Sequence, residues 1–316
     1  MLSKVSILIP VYNRENIIAK TIQSALDQTY ANIEVVIVDN ASSDNTWQVM
    51  QSFATQDSRI KAFRNESNLG PVRNWLRCVE EATGEYGKIL WSDDLIASDF
   101  IEKTLPLFND DVGFVYTVTK IFAGSVPERG KRFYDLGNTG LYPSETYIKK
   151  AIYNKGAPVS PGCAIFRMSD IRKNLWLQIP NKVNSDFSMH AIGNDLLLFL
   201  LTANEYKYFG HVEEPLSFFR SHEGSISISS KSGKLPLHYA LARAYFVENY
   251  RPQLTTCFAS YLQLLLWRYK DSKTYALESI QDFFQADVKL SKVCLAKKII
   301  IKAIRIPIGF IKKLVG

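Results

Sequence analysis

The sequence predicts an α/β protein with a Rossmann-like mixed, mostly parallel sheet, helices on both faces and a C-terminal helical extension. In the first third of the chain, β-rich apolar runs alternate with segments of helical spacing, a pattern typical of a parallel sheet. The last of these runs, Ile89–Trp91, leads directly to the carboxylates Asp93 and Asp94. From Leu237 to Phe284 the spacing is helical and rich in aromatic residues, which predicts two or three helices.

The first seven elements are predicted in the order β-α-β-α-β-α-β. In chain order they are Val5–Ile9, Ile17–Leu26, Ile33–Val38, a helix after Thr46, Ile60–Phe63, a helix from Pro71 to Thr83, and the strand that ends at Trp91. Proline near the first position of a helix and glycine after its last turn are common boundary residues. Val112–Val118 predicts a further strand, and residues 120–142, rich in glycine, predict an irregular insertion.

The net charge of +7 over 316 residues is unevenly distributed. Residues 288–316 contain eight Lys and Arg and no Asp or Glu, so subtracting eight from +7 leaves −1 for the rest of the chain. A nucleic-acid-binding surface should itself be basic. The charge distribution therefore argues against nucleic acid as a partner of the main domain.

The cysteines and the apolar runs predict a cytoplasmic protein. Cys78, Cys163, Cys257 and Cys294 form no C-x-x-C pair, so we expect neither a zinc site nor a disulfide framework. The apolar run Val5–Val11 is short and contains a proline, which does not fit a signal peptide. No run reaches the about 18 apolar residues that span a bilayer.

Polar loops follow three of the predicted strands and would lie along one edge of the sheet. They are Pro10–Asn13, Asp39–Asp44 and the pair Asp93–Asp94. Ligands of open α/β sheets bind at this edge, and neighbouring carboxylates favour a divalent cation. Each loop also has a structural interpretation as a turn or a helix cap, including a cap at Asp99 for the next helix. Neither a G-x-G-x-x-G fingerprint nor a P-loop occurs.

Four segments carry a resemblance to a known family. They are Ile9–Asn13, Val38–Thr46, Asn68–Asn74 and Ser92–Asp94, in this order. Together they resemble the inverting glycosyltransferases of family 2, which have the A-type nucleotide-diphospho-sugar transferase fold. The resemblance covers roughly residues 3–228.

The resemblance implies a nucleotide site at the ends of the first strands. Pro10, Tyr12 and Asn13 would border the base, and Asp39 would accept a hydrogen bond from the imide N–H of uracil. Arg73 would lie near the base or the phosphates.

The resemblance also implies a Mn²⁺ or Mg²⁺ ion that neutralises the diphosphate. Asp94 would ligate this ion, and Asp93 would hold the ribose or a metal-bound water. Many relatives carry an Asp at the position of Trp91, so the metal site would depend mainly on Asp94.

Inversion requires a base that removes the proton of the acceptor hydroxyl. The resemblance places it at Asp195, with Asp186 as the second candidate; the structural alternative for Asp195 is an interaction with the helix dipole. Gly162 would line the donor sugar or belong to a plain strand. Arg220 and His222 would reach the diphosphate or the metal, or be structural.

The C-terminal segment predicts a helix that lies on a membrane surface. Ile299, Ile300 and Ile304 share one face, while Lys298 and Lys302 share the opposite one. Basic amphipathic helices of this kind bind anionic membrane surfaces. The alternatives are a solvated arm or a nucleic-acid tail, against which the many isoleucines argue.

These observations predict three regions and one activity. Residues 1–230 would form a nucleotide-sugar-binding catalytic domain, 231–286 a helical extension and 287–316 the basic tail. The enzyme would transfer a sugar, from UDP if the uracil contact holds, to a lipid-linked glycan during capsule, O-antigen or exopolysaccharide synthesis at the inner face of the cell membrane. Its oligomeric state stays open. The rival functions are a non-catalytic scaffold subunit and a nucleotidyltransferase, which should carry a glycine-rich phosphate loop after the first strand.

Overall fold

The computed structural model describes residues 2–124, 126–222 and 232–300. The chain divides into two compact units. The first contains Met1–Ile179 and Asp186–Ser229, and the second contains Pro180–Ser185 and Ser230–Gly316.

The first unit is built on a mixed sheet, which has ten strands in the described residues. These are β1 (Val5–Val11), β2 (Ile33–Asp39), β3 (Ile60–Arg64), β4 (Tyr86–Ile89), β5 (Leu95–Ile96), β6 (Val112–Phe122), β7 (Lys131–Phe133), β8 (Gly140–Pro143), β9 (Ala164–Arg167) and β10 (Tyr208–Arg220). The order is β3-β2-β1-β4-β9-β6-β10-β5, with β7 paired to β6 and β8 to β10. The first four strands are parallel, as are β6 and β10, while β9 is antiparallel to both neighbours. The predicted mixed, mostly parallel sheet is confirmed.

Helices cover this sheet. They are α1 (Ile18–Leu26), α2 (Thr46–Gln56), α3 (Pro71–Glu81), α4 (Phe100–Thr104), α5 (Ser144–Ile152), α6 (Met168–Asn174), α7 (Phe187–His190) and α8 (Asn194–Glu205). Every residue of β1 and β2 is buried, as expected for parallel strands with both faces covered. Alternate β1 residues such as Ile7 and Ile9 share one core cluster with Ile22 of α1 and Met50 of α2.

Several predicted boundaries were wrong by a few residues. Strand β4 ends at Ile89 rather than Trp91, because the chain turns after Leu90 and the amide of Asp94 donates to the carbonyl of Trp91 at 3.0 Å. Asp99 makes no side-chain cap bond to α4. The insertion at residues 120–142 is only partly irregular, since it contains the end of β6, all of β7 and the start of β8. These short strands gain their order from pairing with β6 and β10, which local spacing does not encode.

The second unit is helical in its described part. It contains α9 (Lys234–Tyr250), α10 (Thr255–Arg268), short 3-10 helices at Lys270–Tyr275 and Ile280–Phe283, and a helix at residues 292–300. Cys257 and Cys294 form a disulfide, although their spacing in the sequence offered no reason to expect one. The chain between them folds back and brings their Cα atoms to 5.4 Å.

Two further observations bear on membrane association. Across residues 2–124, 126–222 and 232–300, no helix is both long and apolar enough to cross a bilayer. The larger part of the predicted membrane-surface tail, residues 301–316, lies outside the described residues.

Candidate functional site

The loops that follow β1 and β2 are joined by reciprocal hydrogen bonds. Asn13 has a left-handed backbone (φ 50°), a conformation that asparagine tolerates better than most residues. Its amide donates to Ser42 Oγ at 2.9 Å, and its Oδ1 accepts from the amide of Ser43 at 2.9 Å. The amide of Arg14 donates to Thr46 Oγ1 at 2.7 Å. The two loops therefore form one rigid edge, with Tyr12 exposed at its surface.

Asp39 is the last residue of β2, and its side chain is completely buried. Its Oδ1 accepts hydrogen bonds from the amide of Ser42, at 3.1 Å, and from the Ser42 hydroxyl. Its Oδ2 lies 3.0 Å from Nε of the half-exposed Arg64 but accepts no hydrogen bond from the described residues. A buried carboxylate oxygen without a donor is costly, so Oδ2 is suited to accept an N–H group from a ligand.

A network of four asparagines, three of them buried, connects the ends of β2 and β3 to the start of α3. Asn65 Nδ2 donates to Oδ1 of both Asn40 and Asn74, each at 3.0 Å. Asn40 Nδ2 donates to Asn68 Oδ1 at 2.8 Å, and Asn74 Nδ2 donates to the carbonyl of Val38 at 3.0 Å. Sequence reasoning missed this network, although the density of asparagines around residues 65–74 was a visible signal.

The same network sets the position of Arg73 on the first turn of α3. Its side chain is exposed, and Nη1 donates to Ser188 Oγ on α7 at 3.1 Å. The described contacts therefore connect Arg73 to α7.

Asp93 and Asp94 lie in the turn after β4, where β10 meets them. Asp94 is buried, its Oδ1 accepts the backbone amide of Arg220 at 2.8 Å, and its carbonyl accepts from Thr21 Oγ1 at 2.9 Å. Asp93 Oδ2 lies 2.7 Å from Nε2 of His222. The two carboxylates are thus held by Arg220 and His222, which lie 126 and 129 positions further along the chain.

Burial and the neighbouring charge of Asp93 raise the pKa of Asp94, and the Arg220 amide, Lys88 and the Arg220 side chain oppose the shift. A nearby cation stabilises the charged form of a carboxylate in this position.

The guanidinium of Arg220 is engaged by the protein itself. Nε donates to the carbonyl of Asp93 and Nη1 to the carbonyl of Gly124, both at 3.0 Å. The group also lies 4.8 Å from the ring centroid of Phe122. These contacts connect the end of β10 to the turn that contains Asp93 and Asp94, called the acidic turn below. The predicted contact of Arg220 with a diphosphate stays a prediction.

Trp91 packs against the short 3-10 turn Pro161–Cys163. Its Nε1 donates to Ser160 Oγ at 2.8 Å, and its ring centroid lies 4.7 Å from that of Trp75. A Cβ atom at Gly162 would lie 2.9 Å from the indole, closer than a side chain permits. Glycine is therefore required for the close approach of the turn to Trp91.

Asp195 lies in the first turn of α8 and is buried. Its Oδ1 accepts from the amides of Gly193, at 3.0 Å, and Leu196, at 2.8 Å. Tyr134, from the insertion, is close enough that the charge of Asp195 contributes, after burial, to raising its pKa. Sequence reasoning missed Tyr134, whose left-handed backbone (φ 61°) is unusual for an aromatic residue.

Asp186 is exposed and caps the short helix α7. Its Oδ1 accepts from the amide of Ser188 at 3.1 Å and from Gln178 Nε2 at 2.6 Å. These hydrogen bonds, led by that of the Ser188 hydroxyl, lower the pKa of Asp186. A lowered pKa makes a carboxylate a weaker base.

The acidic turn offers oxygen ligands for a hard divalent cation. In the part of the chain that the structure describes, no three or more His, Cys, Asp or Glu cluster as a metal site. Magnesium, however, is often held by one or two carboxylates together with substrate phosphates. The carboxylates of Asp93 and Asp94 fit that kind of site.

Comparisons with known proteins agree on one family. Residues 6–175 match the model described as glycosyl transferase family 2. An uncharacterized glycosyltransferase from Haemophilus influenzae is 39% identical over 101 residues, covering 32% of this chain and 40% of its own length. The putative glycosyltransferase EpsH of Bacillus subtilis is 30% identical over 254 residues, covering 79% of this chain and 64% of its own length. This chain thus spans less than two thirds of these two relatives.

A third relative is the GalNAc(5)-diNAcBac-PP-undecaprenol beta-1,3-glucosyltransferase of Campylobacter jejuni. It is 24% identical over 281 residues, which cover 86% of this chain and 84% of the relative. Among solved structures, a TarS fragment of S. aureus in complex with UDP-GlcNAc has a TM-score of 0.62 at 18% identity. The match covers 87% of this chain and 76% of that one, and it shows a common A-type fold.

Proposed function

Because this chain belongs to glycosyl transferase family 2, we propose that it transfers a sugar from a UDP-sugar to a hydroxyl of a lipid-linked glycan, with inversion. The observation that carries the proposal is the buried Oδ2 of Asp39, which has no hydrogen-bond donor among the described residues and lies at the ligand-binding edge of the sheet.

Asp39 would read the base of the nucleotide. Its Oδ2 would accept the imide N–H of uracil once Arg64, now 3.0 Å away, moves aside, while Oδ1 is held by Ser42. Pro10 lies near the end of β1, and Tyr12 and Asn13 follow in the adjoining loop. The exposed ring of Tyr12 offers a surface on which a base can stack. The UDP-GlcNAc bound to the structurally similar TarS supports a uridine nucleotide.

A Mn²⁺ or Mg²⁺ ion would bind at the acidic turn and neutralise charge on the departing diphosphate. Asp94 would be its main protein ligand. Asp93, oriented by His222 at 2.7 Å, would hold the ribose or a water, and His222 would reach the metal or diphosphate only by leaving this contact. Arg73 would approach the phosphates after release from Ser188.

Asp195 would remove the proton from the acceptor hydroxyl. One of its oxygens is held by two backbone amides, which fixes the orientation of the carboxylate. Gly162 would line the donor sugar. Direct displacement on the face opposite the leaving group then inverts the anomeric centre.

The acceptor and the membrane are proposed from two independent features. The Campylobacter relative is named for a substrate linked to undecaprenol diphosphate, which supports a lipid-linked acceptor in surface polysaccharide synthesis. In the helix at residues 292–300, Val293, Ile299 and Ile300 are exposed hydrophobics beside exposed lysines. This composition supports peripheral binding to the inner face of the cell membrane.

A panel of nucleotide sugars with and without Mn²⁺ tests the proposal. We expect one or more UDP-sugars to raise the melting temperature and to be hydrolysed or transferred, with Mn²⁺ increasing both effects. If GDP- or ADP-sugars act equally well, the role of Asp39 is wrong. If no nucleotide sugar binds or reacts, the enzyme assignment fails for this chain.

A non-catalytic scaffold subunit is the second candidate, favoured by Trp91 at the position of a metal-ligating Asp. In that case Asp195→Asn would leave polysaccharide output in cells unchanged. Under the catalytic proposal, the same variant abolishes output while the protein remains present at normal abundance.

A further inference from the structure

Lys88 is a fully buried lysine in the middle of the sheet. It lies in β4, in register with Ile7 of β1, and has no exposed surface. Its Nζ donates to the carbonyl of Gly162 and lies 4.5 Å from the ring centroid of Phe100. Burial lowers the pKa of Lys88 to about 7.

Burial of this lysine is expected to lower the stability of the fold. Burying an ammonium is unfavourable unless its hydrogen bonds and charge are compensated. Cys163 and Asp94 both act on the charge of Lys88, but burial raises the pKa of the Cys163 thiol to about 12, so the partly compensating negative charge comes from Asp94. An apolar side chain of similar length, such as methionine, would fill the site without this cost. Residues that break a local rule in this way are often retained for function.

The carbonyl that Lys88 holds belongs to a tightly enclosed turn. A Cβ atom at Gly162 would lie 2.9 Å from the Trp91 indole and 3.1 Å from the Phe219 ring. The turn is thus confined on two sides by aromatic rings and fixed by the lysine at its carbonyl.

Both aromatic residues are close to Asp94 in the chain or through a backbone hydrogen bond. Trp91 begins the turn that contains Asp94, whose amide donates to the Trp91 carbonyl at 3.0 Å. Phe219 precedes Arg220, whose amide donates to Asp94 at 2.8 Å. A shift of the Gly162 turn would therefore be transmitted to Asp94 from both sides.

We propose that Lys88 is a positioning residue for sugar transfer: by holding the Gly162 carbonyl it keeps the turn pressed against Trp91 and Phe219 and so fixes Asp94. The inference rests on the proposed function. Lys88 itself touches neither substrate nor metal in this role.

Two substitutions separate positioning from simple core filling. Lys88→Met keeps the length of the side chain and removes the donor, whereas Lys88→Arg keeps a donor and a charge. The matched control is Lys120→Met, because Lys120 is also a strand lysine that donates to a backbone carbonyl, that of Glu128, but at the surface. Each variant is measured by thermal melting, by hydrogen exchange of residues 160–164, and by steady-state transfer from a UDP-sugar that the wild-type protein uses.

We expect Lys88→Met to melt no lower than the wild type and to exchange faster at Gly162 and Cys163. Its kcat should fall about tenfold or more, with KM for the donor changed much less, because misplaced reacting groups cost rate rather than affinity. Lys88→Arg should recover part of the kcat, and Lys120→Met should match the wild type. Unchanged exchange at residues 160–164, or a kcat loss shared by Lys120→Met, would overturn the proposal.

If Lys88→Met does not fold, Lys88→Arg decides the matter. If Lys88→Arg shows wild-type exchange at residues 160–164 and a near-normal kcat, the positioning role is supported. If exchange at these residues stays as slow as in the wild type but activity is lost, the role is refuted. If the wild type uses no nucleotide sugar, the proposed function fails. The exchange measurements still show whether Lys88 holds the turn.

Discussion

Replacement of Asp39 by asparagine tests the nucleotide site most directly. Oδ1 of the new side chain can keep the Ser42 contacts, while Nδ2 takes the place of Oδ2. An amide nitrogen there opposes the imide N–H of uracil with a second donor. Loss of a hydrogen bond to a charged group costs about 1.5–3 kcal/mol, which corresponds to roughly a 10- to 150-fold weaker affinity for UDP.

The stability of the variant should fall moderately. The lost ion pair joins the completely buried carboxylate of Asp39 to Arg64, whose side chain is 41% exposed, and loss of a hydrogen bond or contact to a charged group costs about 1.5–3 kcal/mol. Titration calorimetry with UDP and Mn²⁺ measures the affinity, and thermal melting measures the stability. The matched control is Asp57→Asn, which removes the ion pair with Arg59 at 2.7 Å near the start of β3 and should leave UDP binding intact.

Cytidine provides the most specific outcome. Cytosine presents an acceptor at the ring position where uracil presents its N–H, so the asparagine amide can donate to it. The ratio of CDP to UDP affinity should therefore rise in Asp39→Asn. If UDP affinity stays within about twofold of the wild type and the ratio is unchanged, Asp39 does not read the base.

Three further predictions concern the catalytic base Asp195, the acidic turn and Glu34 near the start of β2. Asp195→Asn should reduce transfer about 10²- to 10⁴-fold with UDP affinity retained; undiminished kcat would exclude it as the base. Arg220→Met should lower the free energy of unfolding by about 1–3 kcal/mol through lost bonds to two carbonyls, as measured by urea denaturation. Burial alone would raise the pKa of Glu34, but hydrogen bonds led by that from Lys4 hold it well below its usual value. This stability is present above pH about 4.5 and is lost on acidification, so Glu34→Gln should flatten the acid side of the stability curve, whereas the exposed Glu66→Gln should not.

Several features of this protein could be predicted from the sequence alone. Apolar runs and helical spacing are local properties, and they located β1 to β3 and the early helices to within a few residues. Polar residues that follow strands lie at one sheet edge whatever the remaining chain does. The positions of Asp39 and of the acidic pair, Asp93 and Asp94, at that edge therefore follow from local sequence patterns.

The partners of those residues were decided by tertiary structure. The amide of Arg220 reaches Asp94 across 126 positions, and Cys257 meets Cys294 because the chain between them folds back. Lys88 is a lone cation next to an apolar run in the sequence, yet the sheet buries it completely beneath Gly162. Periodicity specifies which face of an element is apolar, but it does not specify which distant element covers that face. The contacts that hold Asp93 and Asp94 in place depend on which distant element covers each face.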